Sequence, residues 1–67
     1  MTTLLNKITK GTEGQFQTPE REDFYFRVYS DGGVRVTSAN SNDSLDSIED
    51  LKVFIKSWNG INLELFN

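Results

Sequence analysis

The sequence contains no cysteine and no histidine. Without cysteine there is no disulfide to brace a small fold, and the strongest side-chain nucleophile is missing. Without histidine the commonest general base is missing as well. Carboxylates alone seldom hold a structural zinc. Long apolar runs are also absent. A membrane span needs about 20 apolar residues, and MTTLLNKITK at the start offers neither that nor the apolar stretch of a secretory signal. The chain is therefore expected to be cytoplasmic and not associated with a membrane. No glycine-rich phosphate loop occurs, because Gly32-Gly33 lacks both the spacing and the following lysine. The expectation is a protein that is not an enzyme and carries no metal and no small-molecule cofactor.

Charge excludes further classes. The formal net charge is −3. Duplex DNA binders show a strongly basic footprint, which this chain lacks. The acidic excess is also too small for a surface that imitates DNA. Asp43, Asp46, Glu49 and Asp50 cluster near one helix start, but the calcium-loop pattern would need glycine at Leu45 and glutamate at Leu51. Acids at a helix N-terminus offset the helix dipole, and that accounts for them.

Size sets a further bound. One core in a chain of 67 residues supplies only about 3–5 kcal/mol of net stability, so small proteins lean on tight packing, a staple or a second subunit. With disulfides and zinc set aside, homodimer formation becomes an expectation from size alone.

What is present is an aromatic strand. Four of the eight aromatic residues lie within DFYFRVYS, residues 23 to 30. Phe24, Phe26 and Val28 alternate with Tyr25, Arg27 and Tyr29, the period of a strand. Asp31-Gly32-Gly33 supplies the positive φ angles of a tight turn. Val34, Arg35, Val36 and Thr37 then alternate again, completing a β-hairpin. A rival reading starts a helix at Thr18-Pro19. The strict alternation and the turn favour the strand.

SANSNDSLDS, residues 38 to 47, reads as a loop entering a helix, capped by Asp46 with Glu49 or by Ser47 with Asp50. Leu45, Ile48, Leu51, Phe54, Ile55 and Trp58 share one helical face, and Val53 points away. Asn59-Gly60 ends the helix, with Gly60 expected in the left-handed position. INLELFN alternates Ile61, Leu63 and Leu65 against Asn62, Glu64 and Phe66, and reads as a last strand. The first 22 residues are less patterned. Leu4, Leu5 and Ile8 suit a short helix or an edge strand, and residues 11 to 17 read as mobile chain from which Phe16 docks on the sheet.

These elements predict a single small α+β domain over residues 1–67, with a partly flexible segment at 1–22. Three strands, or four, form an antiparallel-rich sheet on one main helix, in the order β-β-α-β. The strand at residue 23 lies in the middle and pairs with the C-terminal strand. The expected core is Phe24, Phe26, Val28, Val34, Val36, Ile48, Leu51, Phe54, Ile55, Trp58, Ile61, Leu63 and Leu65. In the order of its elements, though in no specific motif, residues 24 to 57 resemble one repeat of the small duplicated ββα domains of YegP-like proteins. That resemblance spans about half the chain and implies no activity.

The same alternation defines a candidate site. If the helix covers the phenylalanines, then Tyr25, Arg27, Tyr29, Arg35 and Thr37 lie together on the other face. Tyrosine and arginine are enriched at protein-binding hot spots. Aromatics with arginine also make stacking platforms for single-stranded nucleic acid. Antiparallel sheets commonly carry such residues on a plain wet face too. The primary expectation is a small accessory or regulatory module, of the kind common among phage and mobile elements. Its partner is another protein or a second copy of itself; the alternative partner is single-stranded nucleic acid.

Overall fold

The computed structural model describes residues 5–66. Five strands and one main helix follow one another as β1 (Glu13–Gln17), β2 (Asp23–Val28), β3 (Val34–Thr37), β4 (Asn42–Leu45), α1 (Ile48–Ser57) and β5 (Ile61–Leu65). The sheet order is β4-β3-β2-β1-β5, with every neighbouring pair antiparallel. The fold is α+β as expected, with two more strands than the minimum of three. The chain from β4 at one edge crosses the sheet through α1 to β5 at the other.

The aromatic hairpin forms as its alternation requires. In β2 the burial alternates strictly, with Phe24, Phe26 and Val28 inside and Asp23, Tyr25 and Arg27 outside. The turn after it is a three-residue loop. Tyr29 N–H donates to the Gly33 carbonyl at 2.8 Å, and Gly32 N–H donates to the Tyr29 carbonyl at 3.0 Å. Gly32 takes the left-handed conformation at φ 94°, which glycine adopts without a Cβ penalty. The Asp31 carboxylate accepts from Gly33 N–H at 2.9 Å and fixes the corner.

Two strands arise where the sequence alone shows connecting chain. Glu13–Gln17 is an interior strand, bonded to β2 on one side and β5 on the other. Its composition, EGQFQ, has low β propensity, and Phe16 is its only apolar side chain. Phe16 is fully buried and stacks on Phe24 at 5.1 Å between ring centroids. Thr18-Pro19 opens the hairpin turn into β2 rather than a helix. Arg21 N–H donates to the Thr18 carbonyl, and Arg21 sits at φ 67°. The second addition is β4. Its four residues are polar except Leu45, so backbone pairing with β3, not side-chain pattern, makes it a strand. The order is thus β-β-β-β-α-β, and β4 interrupts the strand–turn–strand–helix sequence on which the ββα resemblance rests.

The helix ends follow the capping logic, with one exchange of roles. Ser47 is the N-cap, and its hydroxyl accepts from Asp50 N–H at 3.2 Å. At the other end Gly60 N–H donates to the Ile55 carbonyl and Asn59 N–H to the Lys56 carbonyl, the paired bonds of a Schellman motif. The left-handed residue is Asn59, at φ 54°, and not Gly60. Gly60 is needed for space. A Cβ there would lie 2.7 Å from Ile55 Cγ2 and 3.0 Å from Phe16 Cδ2.

The core lies between α1 and one face of the sheet. Leu51 and Ile55 meet Phe16, Phe24, Phe26, Val28, Val34, Val36 and Leu63, with Leu45, Ile48, Phe54 and Leu65 packed at the margin. Leu5 and Ile8 also enter it. Of the short N-terminal element expected around Leu4, Leu5 and Ile8, Leu4 lies outside the described residues and Leu5 is helical.

Two expected core residues are not in it. Trp58 is 44% exposed, although its ring lies 5.4 Å from Phe24 and 6.2 Å from Phe54. Ile61 is 42% exposed, for a reason of register. β5 pairs with β1, not with β2, and carries one extra residue between Ile61 and Glu64. Asn62, at φ 54°, occupies that bulge. One inserted residue turns Ile61 to the opposite face from Leu63.

Candidate functional site

The register of the strands assembles the outer face in rows. One row runs Ser44, Arg35, Arg27, Glu13, and ends where Phe66 N–H donates to the Glu13 carbonyl at 2.8 Å. The next runs Asn42, Thr37, Tyr25, Gln15, Glu64. A third joins Asp23, Gln17 and Ile61. In this last row Asn62 donates through Nδ2 to Gln17 Oε1, and Gln17 donates through Nε2 to Asp23 Oδ1, both at 2.8 Å. Among the described residues no helix packs on this face.

All five candidate residues, Tyr25, Arg27, Tyr29, Arg35 and Thr37, border one shallow cleft of about 270 Å³. Glu13, Gly14, Phe26 and Phe66 complete its lining. Tyr25 is 53% exposed and Phe66 52%, so large apolar surfaces here meet water. Arg27 is held twice: its Nε lies 3.3 Å from Glu13 Oε1, and its guanidinium carbon lies 5.6 Å from the centre of the Tyr29 ring. Arg35 forms no ion pair among the described residues. Two arginines against one glutamate leave the cleft net positive on a chain that is net negative.

Phe66 and Glu13 were not among the sequence candidates. Phe66 falls on the outward set of INLELFN, but only the β1–β5 pairing brings it beside Glu13. Gly14 is a packing feature. A Cβ on it would lie 2.5 Å from Phe26 Cζ and 2.5 Å from the Glu64 carbonyl oxygen, so the Phe26 ring occupies the space a side chain would fill.

A second depression, about 680 Å³, starts on the far side of Tyr25 and Thr37 and runs over Glu20–Asp23 and Ser38–Asn40. Its charged lining is Arg21 against three acids, the reverse of the first cleft. Asp43, Asp46, Glu49 and Asp50 do not converge, and among the described residues no three carboxylates are grouped as for a metal ion. Among the described residues no helix is long and apolar enough to cross a membrane, and no buried side-chain polar atom lacks a partner.

Comparison with protein-family models, with curated proteins and with solved structures found no match.

Proposed function

We propose that this chain is a protein-binding module that is not an enzyme and that acts through the outer face of its sheet. One observation carries the reading: three exposed aromatic side chains, Tyr25, Tyr29 and Phe66, surround an arginine with no ion-pair partner among the described residues, on a face no described helix covers. Tyrosine and arginine are enriched among the few residues that dominate binding energy at interfaces: an aromatic ring buries a large area with few rotors, and the planar guanidinium offers several donors in a fixed fork. Tyr25 and Arg35 are carried on strands, which hold their side chains in place before a partner arrives and lower the ordering cost of association; Tyr29 and Phe66 directly follow strand ends.

Single-stranded nucleic acid is the second reading, supported by the same aromatics and by Arg35. Against it stand Glu13, Asp23 and Glu64 on the same face, which would repel a phosphate backbone.

The test uses Tyr25→Ala and Arg35→Ala with two readouts. The expected result is that the wild-type chain binds protein, whether another polypeptide or its own copy, and that both folded variants lose at least tenfold in affinity. Short labelled single strands should not bind at low salt. Salt-sensitive oligonucleotide binding lost in the same variants would replace this reading with the nucleic-acid one. Protein binding indifferent to both substitutions would remove the outer face from function.

A further inference from the structure

The outer face is polarised across the sheet. β3 and β2 carry Arg35 and Arg27, with Asp23 at the far end of β2, while β1 and β5 carry Glu13 and Glu64. Such a face complements itself. A two-fold axis parallel to the strands and lying between β1 and β2 would set β2 over β1 of a second copy, and β3 over its β5. Arg27 then faces Glu13 of the other copy. Arg35 faces Phe66 and lies one row, about 7 Å along the strand, from Glu64. Tyr25 meets Gln15, and Asp23 lies over the uncharged Gln17. Every contact occurs twice, as an isologous interface requires.

We infer that the outer face of the sheet is a homodimer interface, in which two copies pack face to face with Arg35 of each between Glu64 and Phe66 of the other. This rests on the protein-binding reading above and names its partner. Three observations support a second copy over an unrelated protein. The charge pattern is matched by its own two-fold image. Arg35, without an ion-pair partner among the described residues, gains both a carboxylate and an aromatic face. The exposed Tyr25 and Phe66 rings are of the size that fills the roughly 10 Å layer between packed sheets. The other simple two-fold, perpendicular to the strands through the Tyr25 row, fits less well. It would set Glu64 on Glu64 and leave Arg35 over the uncharged Ser38–Asn40 turn. Four short strands of overlap make a small interface, so the dimer is expected to be reversible, with a Kd in the micromolar range.

The experiment is sedimentation velocity of the full chain across about 1–500 μM, a range chosen to bracket that Kd. Three samples are compared: wild type, Arg35→Glu and Glu64→Arg, each checked by circular dichroism for an unchanged fold. Wild type should pass from monomer to dimer with concentration. Each variant alone should dimerise at least tenfold more weakly, because like charges then face each other twice. An equimolar mixture of the two variants should recover the dimer. In that pair the introduced glutamate faces the introduced arginine, and native Arg35 faces native Glu64. A wild type that stays monomeric overturns the inference, as does a dimer indifferent to both substitutions or a mixture no stronger than its parts. A dimer that survives both changes but is lost in Trp58→Ser would place the interface on the helix side instead, and also overturns it. The two readings fail separately. A monomer that still captures another protein through Tyr25 and Arg35 overturns the dimer alone. A monomer with no face-dependent protein binding overturns both.

Discussion

The two faces of one sheet make the most instructive comparison in this molecule. The inner face is phenylalanine and valine, closed by Leu51 and Ile55 of α1 and by Leu5 and Ile8. The outer face is tyrosine, arginine and carboxylate, open to water around Tyr25 and Phe66. The same strands build both, and neighbouring residues of β2 belong to opposite environments. Stability and recognition are thus separated by a single Cα–Cβ direction. The alternation predicts that a side chain exchanged on one face has little consequence for the other, except at Gly14 and Phe26, which belong to the packing and also border the cleft.

The separation predicts a graded series of effects. The largest lies at the centre of the inner face. Phe16 is fully buried between Phe24, Phe26 and Phe54. Phe16→Ala should cost about 3–5 kcal/mol, the range for deleting a buried aromatic ring. A single core of this length supplies only roughly 3–5 kcal/mol of net stability, so urea denaturation should show the variant largely unfolded or with a much lower midpoint. A loss below about 1 kcal/mol would mean that β1 is not a core strand.

Gly14→Ala should come next, at about 1–3 kcal/mol, the usual cost of overpacking. The added methyl meets the Phe26 ring on one side and main chain on the other. A second change, Phe26→Leu, should recover part of the loss in thermal denaturation by vacating the ring position. No recovery would locate the strain in the Glu64 carbonyl contact instead.

The smallest effect belongs to the outer face. The Arg27–Glu13 pair is 3.3 Å apart and mostly solvated. A double-mutant cycle with Arg27→Ala and Glu13→Ala should return a coupling of only a few tenths of a kcal/mol, because water screens exposed pairs. A coupling above about 1 kcal/mol would break the comparison, because it would make the outer face a structural one.

Where the sequence shows an element and where it does not follows from what each element is made of. β2, β3 and α1 carry their pattern in side chains: alternating phenylalanine and tyrosine, a 3.6-residue apolar stripe, Ser47 ahead of Asp50. The face shared by Tyr25, Arg27, Arg35 and Thr37 was readable for that reason. β1 and β4 carry almost no such pattern. Glycine and glutamine fill β1, and Asn42, Asp43 and Ser44 fill β4. They become strands because β2, β3 and β5 present unpaired backbone groups beside them, and a buried N–H or C=O left unbonded is costly. Phe66 and Glu13 were missed with β1, because they become site residues only when β1 separates β2 from β5.

Local alternation and helical period by themselves determined which side chains share a face: Phe24 with Phe26, Tyr25 with Arg27, Leu51 with Ile55. Only the tertiary structure decided which strands are neighbours and in what register. It put β1 between β2 and β5, turned Ile61 outward through the bulge at Asn62, and set Phe66 at the end of the arginine row. The physical reason is one of range. A face is fixed by the geometry of successive residues in one strand. Pairing is fixed by backbone hydrogen bonds between segments as far apart as Gln17 and Ile61, and every residue type but proline donates those bonds alike.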